Sequence, residues 1–148
     1  MFRGATSLNL DVKGRLGIPA KHRDALLSQC AGHLVLTAHP HRCLLLYPQP
    51  AWEPIQAKMM ALSSFDKRSS GLQRLLVGHA EDVELDSAGR LLISPTLREF
   101  AHLEKQVMLV GQGTRFELWN MDAWLAQQNA VMADDEMGLP PALEDFSL

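Results

Sequence analysis

The chain is poor in cysteine, in aromatic residues and in long apolar runs. Two cysteines in 148 residues, Cys30 and Cys43, are too few for a secreted disulfide scaffold, so two reduced thiols are expected. No stretch approaches the ~20 consecutive apolar residues of a membrane helix. The opening MFRGATSLNLD lacks the apolar core of a signal peptide. A cytoplasmic protein with no membrane partner is the expectation. No G-x-S-x-G or comparable nucleophile–base motif occurs, which leaves a hydrolase or methyltransferase without support; an enzyme is not expected. Basic residues are missing altogether after Asn120, where Asp122, Asp134, Asp135, Glu136, Glu144 and Asp145 stand unopposed. The overall net charge of −3 therefore hides a net +3 over the first 119 residues. Arg3, Lys13, Arg15, Lys21 and Arg23 all fall within the first thirty. Local field, not the total, decides what a surface attracts.

What the chain does have is a repeat. LNLDVKGRLGIP (residues 8–19) and VELDSAGRLLIS (residues 83–94) share the skeleton L-D-x-x-G-R-L-x-I, with Asp11 and Asp86, and likewise Arg15 and Arg90, 75 positions apart. The likeness continues. Pro19 and Pro95 suit the start of a helix, Ser94 can cap one, and Ala25, Leu26 and Leu27 supply an apolar side to the first. HLVLT and CLLLY in the first half answer QVMLV and RFELW in the second as short strands. Trp52 and Trp124 each open an amphipathic stretch. Each half thus predicts strand, strand, helix, strand, strand, helix. Half-units this small have trouble burying their faces alone, so they should share one core about a pseudo-twofold axis. The first unit is expected over 1–54 and the second over 81–124, with a helical connector over 55–80. That connector should hold a turn at Ser63–Asp66 and a short helix over Leu72–Val77. Residues 125–148 should supply a helix end and a loosely held acidic tail.

In D-x-x-G-R the carboxylate of Asp11 or Asp86 can accept backbone N–H groups across a turn. Gly14 or Gly89 can supply the positive φ of a tight hairpin. Leu8, Leu10, Leu16 and Ile18 alternate so as to hold the first hairpin on a core. A good β-turn accounts for one isolated copy; two copies in matching half-units ask why an arginine follows each glycine. It can pair with the aspartate, or face outward where its fork fits phosphate or guanine O6 and N7. The two roles are compatible.

FRGA near the start, LDVKGRLGIPAKHRDAL, QRLLVGHA, LDSAGRLLISPTLREFA and VMLVGQGTRFELW together resemble the MraZ family, whose bacterial members are built from two SpoVT-AbrB modules. The resemblance runs from Met1 to Trp124. It implies an α+β fold of two pseudo-symmetric AbrB-like half-units, with a swapped-hairpin, β-barrel-like core and flanking helices. It implies ring-shaped homo-oligomers that bind double-stranded DNA and are nucleoid-associated. It further implies regulation of the division and cell-wall gene cluster, including the protein's own promoter, through direct repeats of a short G-rich box. Carried over by position, the DNA-binding residues fall on Arg3, Lys13, Arg15 and Arg90, and the motif's structural residues on Asp11, Gly14, Asp86 and Gly89. The second copy departs at Ala88, which stands where the first has Lys13.

Other patterns carry less. His39, His41 and Cys43 alternate like metal ligands, but Pro40 and an expected turn interrupt them, so no metal is expected and no cofactor is called for. VGQG (residues 110–113) lacks a complete nucleotide loop and precedes a strand. Trp52, Trp119 and Trp124 read as core or interface anchors, and Lys67, Arg68 and Arg74 as a solvated helix face. The rival to a DNA-binding regulator is an oligomeric protein-interaction scaffold in which the arginines form subunit salt bridges.

Overall fold

Apolar alternations and short apolar runs become strands at the expected places. The first half forms β1 (Phe2–Asn9), β2 (Arg15–Gly17), α1 (Ala20–Cys30), β3 (His33–Ala38), β4 (Leu44–Pro48) and α2 (Gln49–Met60). The connector contributes α3 (Lys67–Leu76). The second half then repeats the order as β5 (Glu81–Glu84), β6 (Arg90–Leu92), α4 (Pro95–Phe100), β7 (Gln106–Gly113), β8 (Arg115–Asn120) and α5 (Met121–Ala133). The computed structural model describes residues 1–134, 138 and 140–147. Asp135, Glu136, Met137, Leu139 and Leu148 lie outside the described residues, and the expected loose tail falls partly on them. No helix among the described residues is long and apolar enough to cross a membrane.

The halves interleave. One six-stranded antiparallel sheet runs β1-β7-β8-β4-β3-β5, so three of its five seams join strands of different halves. The strands β2 and β6 leave their own hairpin partners and pair with each other as a separate antiparallel ribbon. In that ribbon Leu16 faces Leu91, its own counterpart 75 residues on, so the pseudo-twofold axis passes between them. Both leucines are fully buried, and Ile18, Ile93, Leu26, Leu97 and Phe116 join them in the one core that both halves fill. Burying each such side chain contributes about 1.5–3 kcal/mol.

Caps fix where the helices begin. Ser94 Oγ accepts the Leu97 N–H at 3.3 Å and Pro95 takes the first position of α4, as expected. Pro19, by contrast, is the residue before α1 rather than part of its first turn. The buried stripe of α1 then follows His22 and Leu26, four residues apart on one face, while Leu27 points about 100° away and is 54% exposed. Of the expected apolar side, Leu26 is buried and Ala25 packs against the core, whereas Leu27 is exposed and His22 is buried instead. The connector helix also starts earlier than Leu72, because Asp66 caps it by accepting the Ser69 N–H at 3.0 Å. Gln73 turns α3 back on α2 by donating its amide to the carbonyls of Met59 and Leu62, each at 2.9 Å. Thr37 Oγ1 donates to the Leu76 carbonyl at 2.5 Å, which pins α3 over β3.

His22 packs edge-on against Phe2 and Phe116, with ring centroids 5.8 and 4.9 Å away. Burial, with the neighbouring Lys21 charge, holds its pKa below the ordinary 6.5. Below that value the unfolded chain takes up a proton that the folded one resists, so the stability present above about pH 6.5 is lost as pH falls. The melting temperature should drop on acidification below this point, and His22→Phe should flatten the drop. His39, also lowered by burial, retains part of it. An unchanged pH profile in His22→Phe would show that His22 does not set this dependence.

Candidate nucleic-acid interface

Each hairpin loop is closed by its aspartate. Asp11 Oδ1 accepts the N–H groups of Lys13 at 2.9 Å and Arg15 at 2.8 Å, and Oδ2 accepts Arg15 Nε at 2.6 Å. The second loop repeats this: Asp86 Oδ1 accepts Ala88 N–H and Arg90 N–H, both at 2.9 Å, and Oδ2 accepts Arg90 Nε at 3.0 Å. The Arg15 N–H, followed by the Arg15 side chain and the Lys13 N–H, holds Asp11 down at about 2, against some burial. Asp86 is lowered in the same way, first by the Arg90 N–H. Both carboxylates stay charged at any physiological pH. The bond to each arginine uses only Nε; among the described residues the terminal nitrogens of Arg15 and Arg90 make no hydrogen bond, so the outer edge of each fork remains for a ligand. The pairing with aspartate and the outward reach therefore coexist.

The ribbon brings the two motif arginines together. Arg15 lies opposite Leu92, and Arg90 opposite Gly17. The arginines are therefore diagonal neighbours on one face, roughly 7–8 Å apart. Leu16 and Leu91 point the other way, into the core. Leu92, 55% exposed, shares the outer face with the arginines. Lys13 is exposed at the tip of the first loop. Arg3 is not part of this cluster. It pairs in register with Gln112 at the far end of β1, roughly 20 Å from Asn9 at 3.4 Å per residue. There Lys21 Nζ lies close beside Gly4.

Two further arginines belong to the site and escaped the motif. Arg23 on α1 donates Nε to the Ile18 carbonyl at 2.6 Å, and Arg98 on α4 donates Nε to the Ile93 carbonyl at 3.0 Å. Each crosses to the other half's loop: a Cβ on Gly14 would sit 2.7 Å from the Arg98 guanidinium, and one on Gly89 would sit 2.5 Å from Arg23. The glycines are thus required twice, for φ of +84° and +74° and for the space a guanidinium occupies. The signal was present in the sequence, since Arg23 and Arg98 keep the same 75-residue spacing as the motif.

The rival constellations resolve differently. His39 Nδ1 accepts the His41 N–H at 3.0 Å. Cys43 is fully buried, with its thiol pushed up to about 12 by burial. Among the described residues no group of histidine, cysteine and acidic side chains could hold a metal. Trp52 and Trp119 are buried anchors, with Trp124 half-covered.

With this geometry in view, the sequence matches the MraZ protein family, described as antitoxin-like, over residues 1–75 and again over 76–137. The chain belongs to the MraZ family. Its relatives include the transcriptional regulator MraZ of Methylobacillus flagellatus, 74% identical over 148 residues. Those of Dechloromonas aromatica and Nitrosospira multiformis are 58% and 55% identical. In all three the match covers the whole of both chains. The double family match coincides with the interleaved halves, and both arginine loops fall inside it.

Gly14→Ala should lose about 1–2 kcal/mol from the left-handed backbone alone, and more where Arg98 must shift. Gly71→Ala, in α3 where a Cβ meets nothing, should instead stabilise by roughly 0.5–1 kcal/mol. Urea unfolding of both variants measures this; equal midpoints would contradict the packing described.

Proposed function

We propose that the protein is a transcriptional regulator that binds double-stranded DNA through the β2–β6 ribbon. The observation that carries this reading is the pair of arginines held by aspartate on one exposed ribbon face with their outer nitrogens unused. A two-stranded ribbon fits the major groove, where arginine forks onto guanine O6 and N7. A separation of 7–8 Å spans about two base steps of 3.4 Å, so Arg15 and Arg90 address nearby guanines in one box. Leu92 between them suits a thymine methyl. Lys13, Arg23 and Arg98 surround the loops with positive charge for phosphates, and Arg3 with Lys21 offers a separate backbone contact further along.

The two modules, 1–54 and 81–124, act as one reading head because they share the ribbon, with 55–80 linking them and 125–148 following. One head makes too few base contacts for tight specific binding. Several subunits in a ring, on direct repeats of a G-rich box, turn later contacts into intramolecular ones and raise affinity without new chemistry. The gene cluster for division and cell-wall synthesis, including the protein's own promoter, is the target this reading favours, and it places the protein on the nucleoid.

A gel shift with the DNA upstream of the protein's own gene, against excess unrelated competitor, tests the reading. Arg15→Ala should cost about 1–3 kcal/mol in box affinity and relax the preference for guanine. Lys13→Ala should weaken all sequences alike and reduce the salt slope by about one. Arg90→Ala should also weaken binding, less than Arg15→Ala, because Ala88 replaces the partner lysine. Unchanged specific affinity in a folded Arg15→Ala protein would refute the readout.

A further inference from the structure

The ribbon has two ends, and they are not alike. Strand alternation turns Leu16 and Leu91 inward and leaves Arg15, Gly17, Arg90 and Leu92 on the outer face. The 75-residue repeat makes Arg90 the counterpart of Arg15, and Leu92 the counterpart of Gly17. The arginines keep the pseudo-twofold symmetry; Gly17 and Leu92 break it. Register sets Leu92 opposite Arg15 and Gly17 opposite Arg90. The bonds from Ile18 N–H to the Gly89 carbonyl and from Ile93 N–H to the Gly14 carbonyl fix the phase of the ladder. Bonded and non-bonded pairs alternate along it, so Arg15 with Leu92 is a non-hydrogen-bonded pair, the closer kind, with Cα atoms roughly 4.5 Å apart. Leu92 thus stands beside Arg15, whereas Arg90 is two residues away along its own strand, roughly 7 Å. Beside Arg90 the matching place is open, because a Cβ on Gly17 would meet nothing within 4 Å. The loops follow suit. The one leading into Arg15 carries the exposed Val12 and Lys13, and the one leading into Arg90 carries Ser87 and Ala88.

We propose that Leu92 gives the ribbon a direction on DNA. The base pair beside the guanine read by Arg15 has to present a thymine methyl, and the base pair beside the guanine read by Arg90 goes unread. A head with two matching ends would bind a box equally in either orientation, since a half-turn about its axis would only exchange Arg15 with Arg90. Here the half-turn removes the leucine from the methyl and sets open space over Gly17 in its place. Leu92 is 55% exposed, so the subunit's own core gains little from it. Its burial comes from what lands on the ribbon. The thymine methyl is the apolar group that a base edge offers in the major groove. Neighbouring base pairs are roughly 3.4 Å apart, within reach of a side chain standing beside Arg15. Lys13 favours the same orientation by putting the stronger phosphate grip at the leucine end. The inference rests on the ribbon as the DNA-reading surface and adds the sense in which it reads.

Gel shifts of the full chain test this on the duplex upstream of the protein's own gene, with single bases replaced. The Arg15 guanine is the one whose replacement by a deazaguanine lacking N7 weakens the parent but not Arg15→Ala; the Arg90 guanine is found likewise with Arg90→Ala. Uracil for thymine, which removes only the methyl, should weaken the parent roughly three- to five-fold beside the Arg15 guanine, the worth of one buried methyl group. Leu92→Ala should bind the unmodified duplex weaker by a similar factor and be indifferent to that uracil. Gly17→Leu should keep the parent's response and gain a second one, to uracil for a thymine placed beside the Arg90 guanine. Circular dichroism should show both variants folded, and the Leu92→Ala arm decides by itself. No thymine beside the Arg15 guanine, a uracil there that costs the parent nothing, or one that costs Leu92→Ala as much overturns the assignment. So does a parent equally sensitive beside both guanines. A parent with no preference for this duplex over unrelated competitor overturns the DNA reading itself, and this inference with it.

Discussion

Everything else in the molecule depends on the ladder of three residue pairs between β2 and β6. It joins strands from hairpins of opposite halves, and it sets the fully buried Leu16 and Leu91 face to face on the pseudo-twofold axis. The Ile18 N–H to the Gly89 carbonyl at 2.9 Å and the Ile93 N–H to the Gly14 carbonyl at 3.0 Å extend it symmetrically at both ends. Neither half can keep this arrangement alone, since each hairpin would lose the partner of its returning strand and expose its leucine. The same ladder orients Arg15 and Arg90. Stability and the site are therefore one structure, and a change that loosens the ribbon acts on both.

Around this ribbon, charge is held in place rather than merely accumulated. Asp11 and Asp86 neutralise part of Arg15 and Arg90, yet each takes only Nε and leaves the outer fork. Arg23 and Arg98 are fixed differently, each by a backbone carbonyl of its own half and by the loop glycine of the other. An arginine whose Nε is already bonded loses less rotamer freedom when it meets a ligand, which favours specificity over loose attraction. Exposed ion pairs of this kind add little to stability. Their worth lies in the direction they give the guanidinium.

The fold was legible wherever a residue type has one job. Asp, Gly and Arg at fixed spacing announced the two loops, Ser94-Pro95 announced α4, alternation announced the first hairpin, and short apolar runs announced β3 and β4. The partner of β2 was not legible from local pattern, because period-2 alternation says which face is buried and nothing about which strand lies alongside. The exposure of Leu27 and the burial of His22 depend on how Pro19 sets the start of α1, a single-residue offset that composition cannot resolve. Arg23 and Arg98 lay outside the motif; only their repeat spacing marked them. The stretch read as amphipathic from Trp124 forms α5, but every residue from Leu125 to Ala133 is exposed.

Duplication also explains why the molecule is not fully symmetric. Two half-units have two equivalent outer faces, under α2 and under α5, but a single chain has one connector between them. That connector, α3, can cover only one face, so among the described residues the other lacks such a cover. The halves therefore stay alike where they meet, at Leu16 and Leu91 and at the two aspartate–arginine loops, and differ where only one of them receives the connector. The duplicated contact fixes the site, and the unduplicated link fixes the difference between the outer surfaces.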